Sequence, residues 1–298
     1  MQSFGDFDGR ALDATGVELR HDLQHIHLAT HSNIACTSNI VTDRAIKFLD
    51  APGFAGSESE KLAYKQVEGQ APTLIWCGGL KSDMEGNKAL FLHSWAIRTG
   101  QAYIRFDYFG HGQSTGRFRD GTISRWSRDI VQIIDGCVKG DVILVGSSMG
   151  GWSSLLAARA RPERVKGLVL INPAPDFTEK LIWANWPEEA RRAVVEDGIY
   201  YEPSNYDDPC EYSRELINDG RTHQLLDASI CFNGPVRVLQ GLSDTIVPWD
   251  YAYRVVDALT STDVTMTLIK GGDHSLSRPE DLTRLRNTVT DIIEGLYS

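Results

Sequence analysis

After about residue 43 the apolar positions of this 298-residue chain switch repeatedly between a period of two and a period of three to four. A strand-like pattern opens at 45–49, 62–67 alternates as a strand does, and 72–77 is a short apolar run ending in Gly78-Gly79. A helical stretch follows at 87–98, with Leu90, Leu92 and Trp95 apolar, and then a strand at 102–106. Ile123, Trp126, Ile130, Ile133, Ile134 and Cys137 recur at helical spacing. The runs 141–145 and 167–171 are continuously apolar, as expected of parallel strands covered on both faces, and 236–239 and 264–268 repeat that pattern. Ser277-Arg278-Pro279-Glu280 reads as a capping box opening a last helix, whose Leu282, Leu285, Val289, Ile292, Ile293 and Leu296 face inward. Strand and helix alternating in this way predict an α/β chain with a mostly parallel, doubly wound sheet.

Two intervals depart from that rhythm. Residues 1–41 lack sustained periodicity and read as an N-terminal extension to a single domain at 42–298. Their His21, His25, His27 and His31 have spacings that could share a helix face, but without acidic or thiolate partners at matching spacing no metal site is expected. The second interval separates the runs ending near Asn172 and beginning at Pro235 by about 60 residues, far beyond the usual 2 to 6. An insertion at the carboxyl edge of a parallel sheet reads as a helical cap, here at about 176–233. It is rich in Trp and Tyr and carries 13 Asp and Glu against 5 Lys and Arg, a local charge of −8.

Charge narrows the range of partners. A net charge of −10 with no basic cluster argues against nucleic acid. No apolar run is long enough for a membrane span. Five widely spaced cysteines without a C-x-x-C pair suit reduced thiols, and the acid-rich start makes a poor transit peptide, so a cytoplasmic protein is expected.

The chemistry centres on Gly146-Ser147-Ser148-Met149-Gly150, which fits G-x-S-x-G only with Ser148 as the central serine, since position 145 is Val145. The glycines suit a sharp strand-to-helix turn, and an apolar run does precede the motif and a helical pattern follow it. A serine hydroxyl needs a base to take its proton and a carboxylate to hold that base. His274, in Gly271-Gly272-Asp273-His274-Ser275, and Asp244, in Gly241-Leu242-Ser243-Asp244, each follow a predicted strand and so fall at the carboxyl edge of the sheet. The order Ser148, Asp244, His274 is that of an α/β-hydrolase triad. Asp250 and Asp273 remain rivals for the acid role. The backbone N–H groups of Met149 and of Leu80, after Gly78-Gly79, are the candidate oxyanion donors. Ser147, the x position, is expected to pack beneath the turn. No cofactor or metal is implied.

With Phe106-Asp107-Tyr108-Phe109-Gly110-His111-Gly112-Gln113-Ser114 added to these loops, residues 43–298 resemble the serine α/β-hydrolase superfamily. The segment Leu80-Lys81-Ser82-Asp83-Met84-Glu85-Gly86-Asn87-Lys88-Ala89, with the serine motif, is more narrowly similar to the mycophenolic acid acyl-glucuronide esterase and palmitoyl-protein thioesterase group. The resemblance implies an α/β-hydrolase fold with a cap, Ser148 as nucleophile, Asp244 as acid partner, His274 as base, and a structural His111. The expected activity is esterase or thioesterase, on a small-molecule or acylated substrate, and the oligomeric state is left open. An amidase or peptidase of the same fold, or a ligand-binding protein without turnover, remain the alternatives. The cap's charge should repel anionic head groups unless Lys81, Arg117 or Arg119 compensates.

Overall fold

The computed structural model describes residues 45–52, 60–203 and 209–297; the extension read at 1–41, with its histidines, lies outside them. The alternating pattern resolves into an eight-stranded sheet built from β1 (Lys47–Ala51), β2 (Glu60–Val67), β3 (Gln70–Cys77), β4 (Gln101–Phe106), β5 (Val142–Ser147), β6 (Val165–Ile171), β9 (Val236–Gly241) and β10 (Val264–Ile269). Their spatial order is β1-β2-β4-β3-β5-β6-β9-β10. The pairs β1/β2 and β2/β4 are antiparallel and every later pair is parallel. The first strand starts two residues later than its pattern suggested.

The strands alternate between two cores. Leu74, Trp76, Ile143, Val145, Val169 and Ile171 face the helices α1 (Asn87–Thr99) and α7 (Pro279–Leu296). Ile75, Cys77, Leu144, Leu168, Leu170 and Val238 face α2 (Ile123–Cys137), α3 (Met149–Ala160) and α6 (Trp249–Ala258). Burial on both faces explains why β5 is continuously apolar. β10 differs from that reading: among the described residues it pairs only with β9, so it is an edge strand, and its Leu268 is 46% exposed. An apolar run reports hydrophobicity, not the presence of a second neighbour. The cap of α7 also differs, since Arg278 is the N-cap and Asp281 its partner, one residue beyond the predicted box. Asp281 outcompetes Glu280 because its carboxylate is held by Arg278 Nε at 2.7 Å as well as by the Arg278 N–H at 3.2 Å.

Topology puts a crevice between two strands. β3 and β5 lie side by side, with Cys77 opposite Gly146. The chain leaves β3 through α1 toward β4 on one side and leaves β5 through α3 toward β6 on the other. The loops at their carboxyl ends therefore diverge, which is where open α/β sheets bind ligands.

Between β6 and β9 stand a π-helical turn at Thr178–Trp183, α4 (Glu188–Glu196), β7 (Ile199–Glu202), β8 (Cys210–Ser213) and α5 (Arg214–Thr222). The insertion expected to be helical thus also contains a two-stranded antiparallel ribbon. Trp186 packs edge-on between Tyr200 and Tyr212, both with ring centroids at 5.2 Å. Buried Asp176 closes the segment on itself, its carboxylate accepting the N–H groups of Leu225 at 2.7 Å and Leu226 at 2.9 Å. The segment is tied to the sheet domain by Trp152 Nε1, which donates to His223 O at 3.1 Å, and by Ser124, whose N–H and hydroxyl both donate to Asp219.

Candidate active site

Ser148 sits at the sharp turn from β5 into α3 with φ 55 and ψ −119, a backbone geometry rarely adopted outside glycine. Such strain persists only where surrounding structure enforces it. The flanking glycines enforce it here by allowing close approach. A Cβ on Gly146 would stand 2.5 Å from Gly150 O, and one on Gly150 would overlap the carbonyls of Cys77 and Gly78. Ser147 ends β5 opposite Ile171 and is buried, while Ser148 is half-buried.

The structure brings the three sequence-selected residues together. The Ser148 hydroxyl donates to His274 Nε2 at 3.1 Å, and His274 Nδ1–H donates to Asp244 Oδ2 at 2.7 Å. The Asp244 side chain is completely buried, and its Oδ1 accepts the N–H groups of Ile246 at 2.8 Å and Val247 at 2.9 Å. With both carboxylate oxygens engaged, Asp244 selects the tautomer that leaves Nε2 free to accept a proton. The rivals point elsewhere: Asp250 Oδ1 accepts from the Tyr251 N–H on its own helix, and Asp273 Oδ1 accepts from the Leu276 N–H.

Leu80 and Met149 belong to the two loops that meet at the switch point. Met149 is the first residue of α3, where a helix presents unpaired N–H groups and its positive dipole end. The β3 loop approaches closely, since a Cβ on Gly79 would lie 3.5 Å from Ser148 Cβ. Beyond Leu80 the chain turns left-handed at Lys81, φ 58, and the Lys81 N–H donates to His111 Nε2 at 3.2 Å. His111 Nδ1–H donates in turn to Phe109 O at 3.1 Å. Burial pushes the His111 pKa down to about 4, so the ring is neutral and its Nε2 can act as the acceptor. Asp107 supports the same loop, accepting the Met84 N–H at 2.7 Å and the Gln113 N–H at 2.8 Å. Lys81 Nζ reaches the other way, to Pro209 O at 2.9 Å beside β8, where Tyr201 and Glu211 line the same cleft. Arg117 and Arg119 are paired with Asp120 and Glu211.

Two anchors escaped the sequence reading. Asn172, at the end of β6, bonds to both the loop that carries Asp244 and the loop that carries His274. Lys88, on α1, donates to the carbonyl of Ser275, the residue after His274. Burial lowers the Lys88 pKa to about 8, against the opposing pull of Asp273 and Asp281. Neither has a motif; the one available signal for Asn172 was a polar residue closing a buried apolar strand. Among the described residues no cluster of three or more His, Cys, Asp or Glu is placed to hold a metal ion, and no helix is long and apolar enough to cross a membrane.

The chain matches the alpha/beta hydrolase family over residues 89–285. It is 37% identical over 254 residues to the Homo sapiens protein named palmitoyl-protein thioesterase ABHD10, mitochondrial, a match covering 85% of this chain and 81% of that one. Mouse alpha/beta hydrolase domain-containing protein 10 has a solved structure that superposes with a TM-score of 0.77 at 35% identity, covering 85% of this chain and 99% of that one. A crystal structure from Agrobacterium vitis S4 superposes with a TM-score of 0.79 at 40% identity, covering 84% and 100%. These relatives correct one expectation. The human relative is mitochondrial by name, which overturns the cytoplasmic assignment. Reduced cysteines exclude a need for an oxidising compartment without singling out the cytoplasm.

Proposed function

The chain belongs to the alpha/beta hydrolase family and is a hydrolase, and from that premise we propose that it cleaves carboxylic esters or thioesters through a Ser148–His274–Asp244 triad. The observation that carries this reading is the continuous relay from Ser148 Oγ to His274 Nε2 at 3.1 Å and from His274 Nδ1 to Asp244 Oδ2 at 2.7 Å.

Ser148 Oγ attacks the acyl carbonyl as His274 Nε2 takes its proton, and the carbonyl π electrons move onto oxygen. Buried Asp244 holds the ring and stabilises the imidazolium that forms. The N–H groups of Leu80 and Met149 receive the oxyanion, each such donor contributing roughly 2.7–4 kcal/mol in comparable sites. Collapse expels the alcohol or thiol, protonated by His274, and leaves an acyl-enzyme. Water activated by the same imidazole then releases the acid, and no cofactor enters any step.

The segment at about 176–233 serves as the cap over this site. Its aromatic content supports an apolar acyl group, and the relative named as a palmitoyl-protein thioesterase supports a thioester with a long acyl chain as one substrate class. Turnover on matched ester, thioester and amide substrates of increasing acyl length tests the assignment. Ester or thioester cleavage is expected to exceed amide cleavage at least about 100-fold, given the better leaving groups. A preference for the amide would make the protein an amidase instead.

A further inference from the structure

Asn172 closes β6 in the left-handed region, φ 43, with a fully buried side chain. Its backbone N–H continues the sheet by donating to Leu239 O at 2.9 Å. The side chain then reaches both functional loops. Oδ1 accepts the Gly241 N–H at 2.9 Å, where the acid loop begins, and Nδ2 donates to the carbonyls of His274 at 2.8 Å and Asp273 at 3.1 Å. A carboxamide suits this position because it offers an acceptor and two donors on one short, planar group. The loops are already in contact: the Ser243 N–H donates to Gly272 O at 2.8 Å, and a Cβ on Gly241 would stand 2.8 Å from Asp273 O.

We infer that Asn172 is a positioning residue for the base, fixing the His274 backbone against the acid loop so that the imidazole spans Asp244 and Ser148. This rests on the triad proposed above. Without the amide, the carbonyls of Asp273 and His274 lose this donor and the base loop can move away from Gly241. A displacement near 1 Å at a reacting group costs roughly 10²-fold in rate. A purely structural role would instead lower stability and leave turnover per folded molecule unchanged.

The near-isosteric change Asn172→Asp separates the two. It keeps the acceptor for Gly241 but turns a carboxylate oxygen toward the two carbonyls. When protonated, the introduced carboxyl regains one donor for His274 O. The other titratable groups nearby are His274, Asp244 and Asp273, with Lys88 approaching the base loop from α1. All four are shared with the wild type, but a charge at 172 can act on each of them, so the uncharged N172A variant reads the positional effect alone.

The test measures kcat and KM on a neutral p-nitrophenyl ester from pH 5 to 9 for wild type, N172D and N172A, with thermal unfolding of each. N172A is expected to lose about 10²-fold in kcat with KM little changed. The N172D ratio is expected to rise at least about fivefold from pH 8.5 to pH 5.5, as protonation restores a donor. A flat ratio, a loss confined to KM, or variants that only melt earlier would overturn the inference. Variants without a cooperative unfolding transition would also overturn it, because the amide would then be a requirement of the fold itself. Failure of the triad reading is distinguishable, since it would show as unaltered turnover in Ser148→Ala, whatever Asn172 does.

Discussion

Asp244 holds His274 Nδ1 at 2.7 Å with a side chain that no solvent reaches, and its other oxygen accepts two backbone N–H groups. A buried carboxylate with all its partners in place is a rigid orienting group, and the ring it orients has one free nitrogen, facing Ser148.

Asp244→Asn should therefore leave the fold intact and remove most of the turnover. The amide can turn an NH2 toward Nδ1 and favour the tautomer whose Nε2 carries the proton, which cannot accept one from serine. Steady-state hydrolysis of a p-nitrophenyl ester is expected to fall by roughly 10³–10⁴ in kcat. Should the loss appear instead in D250N or D273N, the acid role would belong to that residue.

Gly150→Ala tests the close approach that shapes the turn. The new methyl would overlap the carbonyls of Cys77 and Gly78, both backbone atoms of the loop that leads to Leu80. Overpacking of this kind costs typically about 1–3 kcal/mol. Urea unfolding should show that loss, with a larger fall in kcat than in substrate affinity. An unperturbed variant would mean that the β3 loop can move freely.

His111 carries a pH signature. Its folded pKa, near 4, lies below the ordinary value of 6.5, so the unfolded chain binds more protons between those limits. Its contribution is complete above about pH 6.5 and is lost as pH falls toward 4, a span worth at most about 3 kcal/mol. His111→Phe removes both the titration and the acceptor for the Lys81 N–H. The stability advantage of wild type over H111F should therefore shrink with acidification, and kcat of the variant should fall even at neutral pH. A pH-independent gap would show that His111 remains exposed enough to titrate normally.

The insertion's charge predicts a bias among substrates. Glu179 and Asp227 pair with Arg221 and Lys180 inside the segment at 176–233, which leaves its net −8 unchanged to act at longer range. A neutral ester should be turned over roughly tenfold more efficiently than an anionic one of equal length, and added salt should narrow the gap. Equal kcat/KM values insensitive to salt would contradict this.

Much of the site was legible because its chemistry is local. Ser148 announced itself through two glycines placed within five residues of sequence, and His274 and Asp244 each followed an apolar run that had to be a strand. Burial on both faces made β5 and β6 readable from composition alone. The same signal misplaced β10, because an edge strand can be as apolar as a central one. Asn172 and Lys88 were not legible as anchors. Their partners lie in loops brought together only by the strand order, and no spacing in the chain records a bond from residue 172 to residue 274.

Labelling with a fluorophosphonate probe tests the nucleophile most directly. The wild type should gain one covalent phosphonyl adduct, mapped by peptide mass spectrometry to Ser148. Ser147→Ala should still be labelled, and Ser148→Ala should not. Equal labelling of Ser148→Ala and wild type, or an adduct on another residue, would contradict the assignment.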